Sequence, residues 1–143
     1  MQISSLLTAK GSSVVTIAPG ATVAEAVAAL ERHGIGALVV SADGTHIDGI
    51  LSERDVVRAL GHAGGALLDH PVRSIMTAQV LTSGPENTVE SLMSVMTDNR
   101  VRHVPVVADG ALQGLVSIGD VVKSRIGELE KDRQELVEYI TAR

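Results

Sequence analysis

The chain has no cysteine, no phenylalanine and no tryptophan, and its one aromatic residue is Tyr139. Without cysteine there are neither disulfides nor thiolate metal ligands, and the composition leans towards a reducing, cytoplasmic setting. A single aromatic ring argues against a stacking platform for single-stranded nucleic acid. Positive charge is also short: the net charge is −5, which offers no field for a phosphate backbone, so no nucleic-acid partner is expected. No run approaches the roughly 18 apolar residues of a membrane span, and the opening "MQISSLLTAKGSS" lacks a basic leader. A soluble cytoplasmic protein with no membrane partner is expected. The 143 residues are 45% hydrophobic, so the core is built from Val, Ile, Leu, Ala and Met, which suits helices packed on a sheet.

What is present is a phrase written twice. "GILSERDVV" runs from Gly49 to Val57, and "GLVSIGDVV" runs from Gly114 to Val122. Upstream, Pro19, Thr22, Val23 and Leu30 align with Pro85, Thr88, Val89 and Met96 at an offset of 66 residues. That offset holds to Asp43–Gly44 over Asp109–Gly110. One residue is then lost, so Ser52 and Asp55 lie over Ser117 and Asp120. A match carried this far marks an internal duplication. The repeated units span roughly 12–62 and 78–127. The division expected is a first domain over 1–66 including the N-terminal segment, a linker over 67–77, a second domain over 78–127 and a helical extension over 128–143.

Each unit reads as strand, helix, strand, strand, helix. A short apolar strand ("VVTIA", "QVLTS") leads to Pro and then to a capping Thr. Thr22 with Glu25 has the form of a capping box, and Thr88 with Ser91 does not. Apolar residues follow at helical spacing: Val23, Ala26, Val27 and Leu30 in one unit, Val89, Leu92, Met93 and Met96 in the other. The β-branched runs "IGALVV" and "HVPVV" predict buried strands, and "ADG" in each unit predicts a turn with Gly at positive φ. "GHAGG" reads as a flexible linker. The fold class expected is α+β.

Ser52 and Ser117 fall where a strand gives way to a helix. The first N–H groups of a helix lack intrahelical partners, and with the helix dipole they favour an anion. Asp55 and Asp120 lie three residues on, in the first turn. A carboxylate there accepts hydrogen bonds and can take a vicinal diol with both oxygens. Diol acceptors beside phosphate donors suit a nucleotide. Ordinary helix capping accounts for the same pair, and duplication would copy a cap as readily as a site.

Two tandem units ending in Gly-apolar-x-Ser-x-x-Asp resemble a CBS-domain pair, the module named after cystathionine β-synthase. The resemblance covers about Thr8 to Ile126. "AKGSSVVTI", "SERD", "MTDNRVRHVPVV" and the long final helix are similar to stand-alone bacterial two-CBS proteins described as signal-transduction or regulatory proteins. It implies two units packed by their sheets about a pseudo-two-fold axis, a disc often called a Bateman module, commonly dimerised. It also implies two clefts for adenosyl ligands: AMP, ADP, ATP, NAD(H) or S-adenosylmethionine. The ribose-binding positions map to Asp55 and Asp120, with Ser52 and Ser117 beside them in "SERD" and "SIGD", the latter including Ile118 and Gly119. Backbone at Ile17–Ala18 and Thr82–Ser83 would line the adenine. So would the strands Ile35–Gly36–Ala37–Leu38 and His103–Val104–Pro105.

The units differ where a phosphate would sit. The second has Arg100, Arg102 and His103 where the first has Gly34, Gly36 and Ala37. Guanidinium groups suit a phosphate, and glycines admit a ligand close to the backbone. Arg54 and Lys10 are further candidate phosphate contacts at the edge of the first cleft, so two unequal sites are expected. The five histidines do not fall at metal-ligand spacing, and no metal is expected. No P-loop, G-x-G-x-x-G or G-x-S-x-G is present. The function expected is a non-enzymatic nucleotide sensor. The alternatives are an interaction module with vestigial clefts and a minor nucleotide hydrolase using Asp55 or Asp120 as base. On the last helix, Val122, Ile126, Leu129, Leu136 and Ile140 recur at steps of three and four, interrupted by Arg133. That stripe predicts a homodimer seam, the alternative being a helix folded back onto its own disc.

Overall fold

A computed structural model describes residues 1–142. The elements in order are α1 (Ile3–Lys10), β1 (Thr16–Ile17), α2 (Val23–His33), β2 (Ala37–Val40), β3 (Gly49–Ser52), α3 (Glu53–Ala63), α4 (Val89–Asn99), β4 (His103–Ala108), β5 (Ala111–Ser117) and α5 (Ile118–Thr141). Two short 3-10 helices, Gly64–Asp69 and Val72–Ser74, lie between the units, and Gly61–Ala63 of the "GHAGG" read as a flexible linker is the last turn of α3. The helix α1 has no counterpart in the sequence reading. Among the described residues no helix is long and apolar enough to cross a membrane.

Both units form a hairpin that ends at the capping serine. In the first, β1 runs parallel to β2 and β2 antiparallel to β3, with Ala37 opposite Ser52. In the second, β4 and β5 are antiparallel, with His103 opposite Ser117. The strand expected from "QVLTS" shrinks to a single parallel bridge between Ser83 and Val106, and that from "VVTIA" to Thr16–Ile17. What remains of each is tied to its hairpin by backbone bonds: Val39 N–H donates to Val15 and Ser41 N–H to Ile17 in the first unit, and Ser83 N–H to Pro105 and Val107 N–H to Ser83 in the second. The two "ADG" turns also part company. Asp109 and Gly110 make a tight hairpin with φ of 52° and 75°. The first turn is the longer loop 41–48. There Asp43 accepts the N–H groups of Thr45 and His46 at 2.8 Å each. Reciprocal capping boxes form at Ser52–Asp55 and Ser117–Asp120 rather than at Thr22–Glu25, where only the Thr22 hydroxyl takes part.

The duplication extends further upstream than the sequence reading took it, and its two lead-in segments are exchanged. Ile3, Leu6 and Leu7 of α1 are buried with Val89, Leu92, Met96, Val104, Val106, Val116 and Val121 of the second unit. Leu67 and Val72, from the segment between the units, are buried with Val23, Leu30, Leu38, Val40, Leu51 and Val56 of the first. The backbone bonds match pair for pair. Ile3 N–H donates to Asn87 and Val89 N–H to Met1, just as Val72 N–H donates to Ala21 and Val23 N–H to His70. "MQISSLLT" therefore corresponds to "HPVRSIMT" at an offset of 69, three more than the units themselves. The N-terminal segment, expected with the first unit, belongs in space to the second.

The exchange explains the glycine that opens each repeated phrase. A Cβ on Gly49 would lie 2.7 Å from Met76 Sδ and 2.8 Å from the Thr77 carbonyl oxygen. A Cβ on Gly114 would lie 2.6 Å from Leu7 Cδ2. Leu7 and Met76 are equivalent residues of the two lead-in segments, so each glycine makes room for the other unit's lead-in chain. Finally, α5 packs on α4 through Val121, while Val122, Ile126, Leu129, Leu136 and Ile140 stay exposed along its length.

Candidate functional site

Two clefts open between the units, and each draws its walls from both. One, of about 260 Å³, is lined by Ser52–Asp55 and Arg58 of the first unit and by Gln79–Leu81 and Arg100–His103 of the second. The other, of about 330 Å³, is lined by Ser13–Val15 and Gly34–Ala37 of the first, by His103, Leu115, Ser117 and Asp120 of the second, and by Lys10. They are called here the Asp55 cleft and the Asp120 cleft. Grouping residues by repeat sets Arg100 and Arg102 beside Ser117. The structure sets them across from Ser52 and Asp55, with Arg54 and Arg58. Lys10, expected at the edge of the first unit's cleft, lies in the Asp120 cleft.

The local chemistry at the two Ser–Asp pairs is the same. Ser52 Oγ accepts the Asp55 N–H at 3.2 Å, and Asp55 Oδ2 accepts the Ser52 N–H at 2.9 Å. Ser117 and Asp120 repeat those bonds at 3.2 Å and 2.9 Å. The first amide of each helix is also committed: Glu53 N–H donates to Gly36 and Ile118 N–H to Arg102. Two of the helix-terminal donors expected to meet a phosphate are thus satisfied internally in each unit. A phosphate at the Asp55 cleft depends on guanidinium groups instead.

The clefts differ in charge. Four arginines line the Asp55 cleft. The Asp120 cleft holds Lys10, whose ammonium donates to Asp120 Oδ2 at 2.5 Å and to the Leu115 carbonyl at 2.8 Å. Burial is the largest influence on the Asp120 carboxyl and pushes it up. The bonds from Lys10 and from the Ser117 N–H together outweigh burial and hold it below the usual carboxylate range. His103 forms a wall of both clefts, facing Gly36, where a Cβ would lie 3.4 Å from its ring. Burial lowers the His103 imidazole below its ordinary value. Arg102 and Lys10 act in the same direction, against Glu53 and Asp120.

Among the sequence-derived candidates, Lys10, Ile35, Gly36, Ala37, His103, Ser117 and Asp120 meet in one cleft. Ser52, Arg54, Asp55, Arg100 and Arg102 meet in the other. Leu38 and Val104 are fully buried in the two cores. Ile17 and Ser83 pair with neighbouring backbone: Ser41 N–H donates to Ile17, and Ser83 N–H donates to Pro105. Ala18, Thr82, Pro105, Ile118 and Gly119 also lie outside both linings. The lead-in backbone that does line the clefts sits two or three residues earlier, at Ser13–Val15 and Gln79–Leu81. The alignment at offset 66 already paired Val14 with Val80 and Val15 with Leu81. Arg58 was missed, although it follows Arg54 by one helical turn. Among the described residues no group of three His, Asp or Glu side chains is placed to hold a metal ion.

Comparison with known proteins agrees with the duplication. The CBS domain family model matches residues 9–62 and again 72–127. A CBS-domain containing protein from Agrobacterium tumefaciens, solved as a crystal structure, is 44% identical and superposes with a TM-score of 0.84, covering 87% of this chain and 99% of that one. A CBS domain protein from Pyrobaculum aerophilum, solved in complex with AMP, is 28% identical with a TM-score of 0.75, covering 84% of this chain and 89% of that one. The mitochondrial CBS domain-containing protein CBSX3 of Arabidopsis thaliana is 41% identical over 123 residues, which are 83% of this chain but 60% of that protein's length. With two matched segments, a helix–hairpin–helix repeat and a cleft at each Ser-x-x-Asp, the chain belongs to the CBS domain family and carries the domain twice in tandem.

Proposed function

We propose that the chain is a non-enzymatic sensor of adenine nucleotides, with the Asp55 cleft as the site for a phosphorylated ligand such as AMP. The observation that carries this reading is the convergence of four arginines, two from each unit, on the cleft that holds Ser52 and Asp55. Fixed cations gathered from both halves of a molecule with net charge −5 call for an anion between them. The Asp55 carboxylate, anchored by one oxygen in the capping box, supplies an acceptor for a ribose hydroxyl. The AMP complex of the Pyrobaculum relative supports the same ligand class. The Asp120 cleft has less fixed charge and Gly34 and Gly36 in its wall, and it suits an adenosyl ligand whose tail extends outward, such as NAD(H) or ATP.

Because the ligand lies between the units, its binding bears on how they sit together, and the output passes through assembly or a partner. The exposed stripe of α5 is the proposed homodimer seam. One observation favours a second reading, an interaction module with vestigial clefts: both Ser–Asp pairs are already engaged as helix caps. Calorimetric titration of AMP and adenosine into wild type and Arg102→Ala separates the two. A sensor binds AMP, and loss of the guanidinium weakens AMP by about 1.5–3 kcal/mol while leaving adenosine nearly unchanged. A chain that ignores both ligands is a scaffold. Product formation from ATP or NAD in the same samples would mark a hydrolase.

A further inference from the structure

Lys10 stands at the last position of α1, and it is held there firmly. Ile3, Leu6 and Leu7 lock the helix into the second unit's core, and Gly11 closes it with φ of 95°. The ammonium is thereby presented to the Asp120 cleft from fixed ground, and it reaches Asp120 Oδ2, which already accepts the Ser117 N–H. Both side chains are about three-quarters or two-thirds buried, at 24% exposure for Asp120 and 33% for Lys10. In the other lead-in segment the equivalent residue is Gln79, which lines the Asp55 cleft without a charge. The duplicated carboxylates therefore differ: one has its own cation and the other does not.

We infer that Lys10 is a built-in competitor for the Asp120 carboxylate and so sets which ligands the Asp120 cleft accepts. This rests on the reading of Asp120 as a ribose acceptor. A ribose diol held by both carboxylate oxygens needs Oδ2, and Lys10 occupies it. A neutral nucleoside that displaces the ammonium leaves it two-thirds buried, with the Leu115 carbonyl as acceptor and no counter-charge. A phosphorylated ligand displaces it and receives it at once on a phosphate oxygen within the same cleft. Lys10 thus discriminates against adenosine more by what it withholds than by what it binds. The Asp55 cleft lacks this device and relies on attraction by its arginines alone.

The test uses the full chain with adenosine and AMP as probes, followed by amide NMR. The Ser117 and Asp120 amides report one cleft, and the Ser52 and Asp55 amides report the other. Lys10→Met removes the charge and keeps an apolar stem. It is expected to tighten adenosine at the Asp120 cleft by roughly tenfold or more, the scale of one charge-assisted hydrogen bond. The Asp55 cleft should not change, and Asp120→Asn added to Lys10→Met should abolish the gain. In the ligand-free protein, the Asp120 carboxyl of Lys10→Met should titrate closer to the ordinary carboxylate range. The proposal is overturned if adenosine binds wild type and Lys10→Met alike, or if Lys10→Met only weakens AMP; Lys10 is then a simple phosphate contact and the nucleotide reading stands. If neither probe binds the Asp120 cleft in wild type or in Lys10→Met, the ribose reading of that cleft falls and the competitor falls with it.

Discussion

Arg100 closes α4 with φ 54° and ψ 40°, where its equivalent, Gly34, closes α2 with φ 61° and ψ 39°. A left-handed cap is natural for glycine and costs a residue with a β-carbon about 1 kcal/mol. The second unit bears that strain at a position whose side chain lines the Asp55 cleft. Arg100→Gly is therefore expected to raise stability by about 0.5–1 kcal/mol in urea denaturation while weakening AMP binding. A variant that loses both would show that the arginine is a packing residue. The Ser–Asp pairs carry a related double duty, since Asp55→Ala removes a cap as well as an acceptor. It should cost about 1 kcal/mol of stability through the lost cap, in addition to any loss of nucleotide. Asp55→Asn, whose amide oxygen still accepts the Ser52 N–H, should keep most of that stability. Thermal melts of the two variants beside AMP titrations resolve the two roles.

At the scale of elements, each lead-in segment ties the unit it precedes to the core of the other. Gly49→Ala and Gly114→Ala both force a methyl group against the opposite unit's lead-in chain, and overpacking of this kind typically costs about 1–3 kcal/mol. The two should not be equal. At Gly114 the obstacle is the flexible end of Leu7, whereas at Gly49 it includes the Thr77 backbone carbonyl, which cannot turn aside. Denaturation should find Gly49→Ala the more damaged of the pair, and equal losses would mean that the Thr77 backbone yields. The 24-residue α5, about 36 Å long, exposes Leu129 and Leu136 at 52% and 59%. Leu129→Glu or Leu136→Glu should weaken a dimer built on this stripe, because burying an unpaired charge costs several kcal/mol. Light scattering that gives one unchanged mass for wild type and both variants would rule out the seam.

For the molecule as a whole, both clefts meet at His103 of the second unit and Gly36 of the first, which face each other. Burial lowers the folded-state value of His103 below the 6.5 of a free imidazole. Between those two values the unfolded chain binds a proton that the folded chain does not. Stability present above about pH 6.5 is therefore lost as the pH falls from there through the folded value. His103→Asn should flatten that acid limb of a stability–pH profile, and an unchanged limb would mean that another group titrates there. If AMP binds as proposed, charge on the lowered His103 ring should strengthen it only in more acid solution than an ordinary histidine requires, which AMP titrations across pH would check.

The repeat, the helix–hairpin–helix order within each unit and the Ser-x-x-Asp pairs were legible in the chain because each is written locally: in apolar periodicity, in capping residues and in a phrase that recurs. The unequal charge of the clefts was legible as a list of residues, Arg100 and Arg102 against Gly34 and Gly36, but their grouping was not. Repeats align each residue with its own unit, whereas the clefts form between units, so Arg102 faces Asp55 rather than Asp120. The lead-in segments escaped for a similar reason. "MQISSLLT" and "HPVRSIMT" are spaced three residues further apart than the units they precede, and each is buried in the unit it does not precede. Sequence by itself determined the two units and the Ser-x-x-Asp pair in each. Tertiary structure alone decided which halves share a cleft and that Lys10 closes on Asp120, because contacts between residues 110 positions apart are set by how two cores pack and leave no mark in local spacing.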